Sequence, residues 1–422
     1  MRILFVAPSS YPIFGAEANV NAKMLNALTE GGAIVDLVCR AVRANRTCYP
    51  ESTTDFFFKK VNLINLVKVD TNFDFSTILR HLKTFLKTGY IYKGIDWAFD
   101  AISVCENLIK QYQYDYIYTY DYPSEVVGAY IARKYKIRWV ATWNDPYMWI
   151  KYPYPYGKGP DTCISYFRKK LISDIGKYTF YNVFPSARLR DYMLQYMVGM
   201  DRNRSLISPH IIIEKFIPAE LPARNDEVLK IIHAGALGRE RNPEILLKGI
   251  RSFLDKVTDA KIEVTFLGVL ERMHNNAFFE QIEALHLDKW IKCLPPVSYM
   301  ESLSVMKQYD LCLLLEAPCE EGIFLPSKIS DYMQNRKTIW AISPVSGVLH
   351  DMYVDGKIDY FSDVKSVEDI SSTLYNIYTD YQSERLHCPK NACECFLSKN
   401  VYSQHLRYIL ISVPLKWDEL NN

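Results

Sequence analysis

The sequence predicts an α/β protein made of two doubly wound domains, and three observations lead to this. The chain has 422 residues, more than one ordinary hydrophobic core accommodates. Short apolar runs alternate with helical patterns along its whole length, and the alternation restarts after a polar interval at 218–225. We expect an N-terminal domain at 1–218 and a C-terminal domain at 226–398, with a helix at 400–422 packing back on the first domain.

The N-terminal half is predicted to form a parallel sheet with covering helices. An apolar run, a helical pattern and a second apolar run open it, with Gly31 and Gly32 before the second run. This order is a βαβ unit, which is typical of parallel sheets. The predicted strands are 2–7, 34–39, 114–120, 139–143, 180–185 and 205–209. The predicted helices are 18–29 and 125–135.

The C-terminal half repeats the alternation. Its predicted strands are 229–233, 262–267, 290–294, 311–315 and 338–342. Its predicted helices are 243–253, 275–285, 299–309 and one that begins at Ser327, with only helices expected after 342. Ligands of such sheets bind outside the carboxyl ends of the strands, so we expect both halves to face a common cleft.

Composition narrows the class of protein. Hydrophobic residues make up 49% and charged residues 23%, which predicts a globular chain, and a net charge of +2 gives no general case for nucleic-acid binding. The apolar run at 3–7 ends at Pro8 and is too short for a signal peptide, and no run has the length of a membrane span. We therefore expect a cytoplasmic protein.

Ten cysteines are scattered without the spacing of a disulfide framework, which fits a reducing compartment. One cluster joins His387, Cys388, Cys393 and Cys395. It lacks paired Cys-x-x-Cys knuckles, so we expect no metal there.

The turn from Ser327 to Asp331 carries the strongest chemical signal. A loop with a proline opens into a helix at Ser327, where free backbone N–H groups and the helix dipole favour an anion. Lys328 adds a positive charge in the first turn, and Asp331 offers a carboxylate to sugar hydroxyls. The alternative is an ordinary helix start with a solvated face. The functional interpretation is a grip for a nucleotide diphosphate.

A second basic loop strengthens this interpretation. Gly235 directly follows the first strand of the C-terminal half, and Arg241 stands just before Asn242 and Pro243, which begin a helix. A small residue at a strand end lets a ligand approach the backbone, and arginine pairs with phosphate oxygens through two N–H groups. A solvated turn with surface arginines is the alternative. The loop with Gly235 and Arg241 lies in the same half of the chain as Lys328, and this favours a shared site.

Together these segments resemble the retaining family 4 glycosyltransferases of GT-B fold, over nearly the whole chain. The resemblance implies two Rossmann-like domains, with Arg241 and Lys328 on the donor diphosphate, Ser327 at the helix start and Asp331 on the donor ribose. Arg241 stands where the family usually has lysine. The family's other motif acid falls on Ile323, which has no group for a hydrogen bond.

The resemblance also implies loops around the donor base and sugar. Val297 and Ser298 lie in the loop that wraps the base in the family. Glu321, Gly322 and Phe324 lie beside the motif position taken by Ile323. Glu321 is an acid close to that position, although its register differs.

Two segments of the N-terminal half match the family less closely. Gly15 belongs to a glycine loop that approaches the donor phosphate and the acceptor, and one glycine stands where two are common. Asn144 replaces the histidine of a His-Asp pair, whereas Asp145 remains and is expected to polarise an acceptor hydroxyl. An ordinary Asp-Pro turn is the alternative for Asp145. His210 is expected to be structural.

The implied function is transfer of a sugar, with retention, from a UDP- or GDP-linked donor to a glycan or lipid-linked acceptor in surface polysaccharide biosynthesis. Cationic side chains would stabilise the leaving diphosphate, so no metal and no further cofactor are expected. Two other functions stay open: a nucleotide-sugar epimerase or hydrolase, and a binding protein whose catalysis has decayed. A dehydrogenase would need Gly-x-Gly-x-x-Gly after the first strand, where this chain has Pro8-Ser9-Ser10.

A basic amphipathic helix at 79–87 raises the question of a membrane partner. Helices of this kind lie on anionic membranes, where lipid-linked acceptors are found, but they also occur as ordinary surface helices. The helix is therefore expected either to contact the inner face of a membrane peripherally or to be an ordinary surface helix.

Overall fold

The computed structural model describes residues 1–13, 15–42, 51–68, 75–120, 122–216, 227–238, 240–268, 277–386 and 394–410. The predicted linker at 218–225 lies outside the described residues. So do His387, Cys388 and Cys393 of the cysteine cluster, and the part of the predicted C-terminal helix beyond 410.

The described chain forms two compact units. Unit 1 holds Met1–Lys151, Pro160–Ile211 and the described residues from Ser398 onward. Unit 2 holds Ile212–Leu397 together with Tyr152–Gly159, a segment that the sequence assigned to the first domain. The domain boundaries 1–218 and 226–398 stay predictions.

Unit 1 contains a seven-stranded parallel sheet with the order β3-β2-β1-β4-β5-β6-β7. Its strands are β1 (Arg2–Val6), β2 (Ile34–Arg40), β3 (Leu63–Val67), β4 (Tyr116–Tyr120), β5 (Arg138–Thr142), β6 (Thr179–Phe184) and β7 (Ser205–Ile207). Its helices are α1 (Ala16–Glu30), α2 (Glu51–Phe58), α3 (Phe75–Thr88), α4 (Asp96–Gln111), α5 (Ser124–Tyr135), α6 (Tyr166–Tyr178), α7 (Ala187–Leu194) and, from the end of the chain, α14 (Ser398–His405).

Unit 2 contains a six-stranded parallel sheet with the order β10-β9-β8-β11-β12-β13. Its strands are β8 (Leu229–Ala234), β9 (Ile262–Leu267), β10 (Ile291–Leu294), β11 (Leu311–Leu315), β12 (Thr338–Ser343) and β13 (Tyr360–Asp363). Its helices are α8 (Glu244–Lys256), α9 (Ala277–Ala284), α10 (Tyr299–Met306), α11 (Lys328–Gln334), α12 (Val348–Val354) and α13 (Val367–Gln382).

Both strand orders reverse direction at one place, between β1 and β4 in unit 1 and between β8 and β11 in unit 2. Such a switch point leaves a crevice at the carboxyl ends of the two central strands, because the connections leave them in opposite directions. The central strands are almost entirely buried, since helices cover both faces of a parallel sheet. All five residues of β11, for example, are buried.

The expectation of only helices after residue 342 is wrong. The four-residue strand β13 pairs with β12 at the edge of the sheet, with Trp340 opposite Tyr360. Its sequence, Tyr-Phe-Ser-Asp, is short and half polar, and an edge strand needs a continuous apolar run less than a central strand does.

Helix α14 returns to unit 1 from the end of the chain. The ring of Tyr402 lies so close to Gly31 that a Cβ there would be 2.4 Å from it. His405 is fully buried, with its Nε2 3.1 Å from Ser208 Oγ and its Nδ1 3.4 Å from the Tyr118 hydroxyl. In the part of the chain that the structure describes, no helix combines the length and apolar character needed to cross a membrane.

Candidate functional site

The candidate site lies at the switch point of unit 2. Gly235 follows the end of β8, and Glu316 follows the end of β11, which is its neighbour in the sheet. Helix α11 brings Lys328 to the same edge, where the amino group meets the residues that end β8. Ligands of doubly wound sheets bind at this kind of place.

Lys328 is held against the end of β8 by two contacts. Its Nζ lies 2.7 Å from His233 Nε2 and 3.3 Å from the carbonyl oxygen of Ala236. His233 is only 1% exposed, and its Nδ1 lies 3.1 Å from the carbonyl oxygen of Leu313. Because a carbonyl can only accept, Nδ1 carries the proton, and Nε2 presents its lone pair to Lys328.

Gly235 makes room for this lysine. Its φ of +107° is one that side chains rarely adopt, and a Cβ at this position would lie 2.8 Å from Lys328 Cε. The lysine stem therefore crosses the backbone at a point where only glycine fits.

Arg241 is paired with an acid that the sequence analysis did not single out. Glu316 Oε2 accepts hydrogen bonds from Arg241 Nε and Nη2, both at 3.2 Å. The Glu316 side chain is 9% exposed and that of Arg241 is 25% exposed, so the ion pair is largely shielded from water. This pairing fixes the orientation of the guanidinium before any ligand binds.

The positive groups of the site influence each other. Burial, together with the positive charge of Arg241, lowers the pKa of Lys328 to about 7, although Glu316 acts in the opposite direction. Burial and the charge of Lys328 hold the pKa of His233 well below its ordinary value, so this imidazole is neutral. An anion in the site would relieve the repulsion between Lys328 and Arg241.

Asp331 and Tyr332 anchor the short helix α11. The Tyr299 hydroxyl donates a hydrogen bond of 2.8 Å to Asp331 Oδ1. The Tyr332 hydroxyl accepts from the backbone N–H of Ala234 at 3.0 Å and donates to the carbonyl oxygen of Leu313 at 3.1 Å. Tyr332 thus links α11 to β8 and β11. Ser327 precedes the helix, and its side chain makes no capping hydrogen bond.

The remaining residues that were predicted to lie near the donor belong to the loop before α11. Glu321 and Gly322 are half-buried, and the Gly322 backbone pairs with that of Ser346 and Val348. Ile323 is fully buried, so it belongs to the core. Phe324 is half-buried beside the aromatic rings described next.

Two tyrosines from the segment Tyr152–Gly159 cover this part of unit 2. The Tyr152 and Tyr156 rings lie 5.7 Å and 5.1 Å from the ring of Phe324. Arg241 Cζ lies 5.9 Å from the centroid of the Tyr156 ring. The Tyr156 hydroxyl is buried without a hydrogen-bond partner among the described residues, and burial raises its pKa. The rings of Tyr152, Tyr156 and Phe324 therefore form an aromatic cluster beside the Arg241–Glu316 pair.

Val297 and Ser298 lie in the loop between β10 and α10. Ser298 Oγ accepts a hydrogen bond of 3.3 Å from the Glu301 backbone, which caps α10. Tyr299, the next residue, contacts Asp331, so this loop lies beside α11. A structural role for Ser298 is visible, and contact with a base stays a prediction.

Three of the predicted site residues, Gly15, Asn144 and Asp145, belong to unit 1. Gly15 directly precedes α1 and has an extended backbone with φ of 170°. Asn144 and Asp145 follow β5 at the carboxyl edge of the sheet, the first half-buried and the second exposed. Their roles stay predictions. Among the described residues, no three His, Cys, Asp or Glu side chains are grouped as metal ligands, and Cys395 is exposed.

His233 and Glu316 were not among the residues predicted for the site. A signal existed for both, since each is a polar residue at the carboxyl end of a mostly apolar strand. The contacts of Tyr299 and Tyr156 could not be predicted, because they depend on how distant segments fold together.

Comparison with solved structures identifies the architecture. HepE of Anabaena, solved with UDP and glucose, superposes with a TM-score of 0.65 at 12% identity, over 96% of this chain and 98% of HepE. Sucrose-phosphate synthase of Thermosynechococcus elongatus gives 0.69 at 13% identity, over 96% and 98%. The lipopolysaccharide outer core galactosyltransferase WaaB gives 0.60 at 12% identity, over 97% and 99%.

The chain has the GT-B fold, with two Rossmann-like domains. No protein-family model matches the sequence, and no curated protein does. At these identities the likeness concerns the fold alone.

Proposed function

We propose that this protein is a retaining glycosyltransferase that takes a sugar from a nucleotide-diphosphate donor. The observation that carries the proposal is the placement of Lys328 and Arg241 at the switch point of unit 2. Each side chain is held in place by a neighbour, Lys328 by His233 and Arg241 by Glu316, and the lack of a side chain at Gly235 makes room for Lys328. The GT-B fold supports it, and the structures of HepE with UDP and with UDP-glucose show that this fold takes such donors in that protein.

The proposed chemistry is stabilisation of a leaving group. Breaking the sugar–phosphate bond leaves negative charge on the diphosphate and positive charge on the sugar ring. Lys328 and Arg241 would stabilise the diphosphate, and preorganised charge of this kind is usually the largest catalytic contribution. We propose that they do so without a metal ion. Asp331 would accept hydrogen bonds from the ribose. Retention would follow from attack on the face from which the diphosphate leaves.

The acceptor is assigned to unit 1. Asp145, exposed at the carboxyl edge of the sheet, would polarise the attacking hydroxyl, with Asn144 beside it in the sequence. Gly15, in the loop between β1 and α1, would approach the donor phosphate and the acceptor. A glycan or lipid-linked acceptor in surface polysaccharide biosynthesis fits this assignment. Asp145→Asn should then lower the rate of sugar transfer at least tenfold, as loss of a general base does, while leaving donor affinity unchanged.

One observation favours the alternative of a decayed binding protein. Ile323 occupies the motif position of an acid and is fully buried, so it offers nothing to a donor sugar. A binding protein would bind the nucleotide sugar and leave it intact. A hydrolase or an epimerase would convert it in the absence of any acceptor.

Calorimetric titration with UDP, GDP, UDP-glucose and GDP-mannose tests the proposal, followed by incubation with glycan acceptors. We expect one nucleotide to bind, with EDTA making no difference, and sugar transfer to occur only with acceptor present. Arg241→Ala and Lys328→Ala should each weaken binding, and Lys248→Ala on the exposed face of α8 serves as the control. Absence of binding by all four ligands would contradict the proposal.

A membrane partner is proposed from the orientation of α3. Ile78, Leu82 and Leu86 are 52%, 49% and 74% exposed, whereas Thr84 and Thr88 face inward and are buried. The apolar side of this helix therefore faces outward. Exposed lysines stand on and near it: Lys83, Lys169 and Lys170. The ring of Phe85 packs on Phe167 of α6, which brings the last two close.

We assign this face to an anionic lipid surface, because it joins apolar side chains to positive charge. Sedimentation with vesicles of phosphatidylglycerol should pull down the protein, and vesicles of phosphatidylcholine should do so far less. Leu82→Ser with Leu86→Ser should abolish binding to either. Equal binding by this variant, or self-association through the face in the absence of lipid, would contradict the assignment.

A further inference from the structure

The contact between Lys328 and His233 is unusual, because it joins two nitrogen bases at 2.7 Å inside the candidate donor site. The Leu313 carbonyl fixes the proton of His233 on Nδ1. Nε2 can then only accept, and the Lys328 amino group must donate. The imidazole is also locked in orientation, since it lies within the sheet with 1% exposure.

The charges around this pair come from three elements. Arg241, in the loop after β8, repels the ammonium form of Lys328, and Glu316 after β11 attracts it. Tyr332 of α11 shares the Leu313 carbonyl with His233, and burial keeps this phenol protonated by raising its pKa well above the ordinary value. Arg241 is thus the group that most opposes a second positive charge beside it.

We propose that His233 is a positioning residue for Lys328, and that the pair takes up a proton when a nucleotide diphosphate binds. The proposal rests on the function proposed above. The His233 lone pair holds the amino group at the end of β8 whether the lysine is charged or neutral, because both forms have N–H groups to donate. Phosphate oxygens then favour the ammonium form, and the proton comes from solvent.

The proton uptake has a predictable size. With the Lys328 pKa at about 7 before binding, the donor has to add about half a proton at pH 7 and nearly a whole one at pH 8. The ammonium fraction falls about tenfold between pH 6 and pH 8, so the dissociation constant rises about tenfold over this range. Donor binding should therefore weaken as the pH rises.

Titration calorimetry with UDP-glucose and GDP-mannose tests the proton uptake and the pH dependence of binding. These donors are suitable because both of their phosphates are diesters and do not titrate between pH 6 and 8. Repeating the titration in buffers of different ionisation enthalpy gives the number of protons taken up. Uptake near half a proton at pH 7 supports the proposal. An affinity independent of pH with no proton uptake would overturn it.

Two variants separate positioning from simple packing. His233→Asn keeps a donor for the Leu313 carbonyl but has no atom at the place of Nε2. His233→Gln keeps an acceptor near Lys328 but loses the donor to Leu313. We expect His233→Asn to weaken donor binding at least tenfold and to abolish its pH dependence, whereas His233→Gln stays within about threefold of wild type. Equal losses in both variants would assign His233 a packing role only.

A ligand-free measurement keeps the pair testable if the proposed function fails. In protein with ¹⁵N-labelled histidine, the Nε2 resonance of His233 should shift in one step near pH 7 as Lys328 titrates. The step should vanish in Lys328→Ala. If neither nucleotide sugar binds, the proposed function falls, while this spectrum still decides whether Lys328 titrates in contact with His233. Absence of the step would overturn that titration, and with it the proton uptake.

Discussion

Glu316 Oε2 receives hydrogen bonds from both Nε and Nη2 of Arg241, each at 3.2 Å, and so holds the guanidinium at the end of β11. The residues are 75 positions apart in sequence and meet because β8 and β11 are neighbours in the sheet. The acid has two effects, since it orients Arg241 and also offsets part of the positive charge that a diphosphate would meet. The site therefore exists as a charged, preorganised group without ligand.

Removing the arginine alone should destabilise the protein. Arg241→Ala leaves the largely buried Glu316 without its partner, and losses of this kind cost about 3 kcal/mol in the free energy of unfolding. The double variant Arg241→Ala with Glu316→Gln removes the uncompensated charge and should recover a large part of that loss. Urea unfolding of both variants measures this. Equal destabilisation by the single and the double variant would show that the ion pair is not what holds this loop.

Substitution of Gly235 should affect the ligand more than the fold. Gly235→Ala places a methyl group 2.8 Å from Lys328 Cε and forces alanine to a φ of +107°. Gly32→Ala is the matched control, because Gly32 has a φ of +93° with nothing within 4 Å of the added Cβ.

Both alanine variants should lose about 1–2 kcal/mol of stability from backbone strain. Only Gly235→Ala should also weaken binding of the nucleotide sugar, at least tenfold, because it displaces the lysine. Calorimetry on both variants checks this. Unchanged affinity in Gly235→Ala would place the ligand away from Lys328.

Substitution of Asp331 should show whether its carboxylate binds the ribose of the nucleotide. If its carboxylate accepts hydrogen bonds from ribose hydroxyls, Asp331→Ala should weaken UDP or GDP binding about tenfold and leave inorganic pyrophosphate binding unchanged. Tyr299→Phe, which removes the hydroxyl that donates to Asp331 Oδ1, should change either affinity less than threefold. Parallel losses for the nucleotide and pyrophosphate would assign Asp331 to the support of α11 instead.

His405 should make unit 1 sensitive to acid. Burial lowers its pKa to about 4, below the ordinary histidine value of 6.5, so the unfolded chain takes up a proton that the folded one refuses. Stability is therefore lost as the pH falls from about 6.5 to 4, by up to about 1.4 kcal/mol per pH unit from this one group.

His405→Gln should flatten this dependence over the same range. His233 has a pKa lowered in the same direction and remains in both proteins, so the difference between their unfolding curves belongs to His405. An identical pH dependence of the two proteins would contradict this explanation.

The sequence predicted the alternating architecture because parallel strands covered on both faces are rich in apolar residues. β11 is apolar throughout, β8 and β9 are mostly apolar, and the predicted positions of all three agree with the structure to within a residue. Between 43 and 113 only the helix at 79–87 was predicted, whereas α2, β3 and α4 also lie there. β3 is a partly exposed strand at the sheet edge, and its mixed environment leaves a weaker pattern.

The site could be predicted only in its local part. Lys328, Ser327 and Asp331 share one turn, so their proximity follows from the sequence. The partners of the charged residues do not, because His233 lies 95 residues before Lys328. Such contacts depend on the strand order, which puts β8 beside β11. For the same reason the contact between Arg241 and the Tyr156 ring could not be predicted, because Tyr156 belongs to a segment of the first half of the chain.

The most direct test of the central claim is the affinity of Lys328→Ala for UDP-glucose and GDP-mannose at pH 7, compared with wild type and with Lys248→Ala. We expect wild type and Lys248→Ala to bind one of the two donors equally well. Lys328→Ala should bind it at least tenfold more weakly, because it loses a charged hydrogen bond to phosphate. Equal affinity of Lys328→Ala and wild type would contradict a diphosphate site at the end of β8.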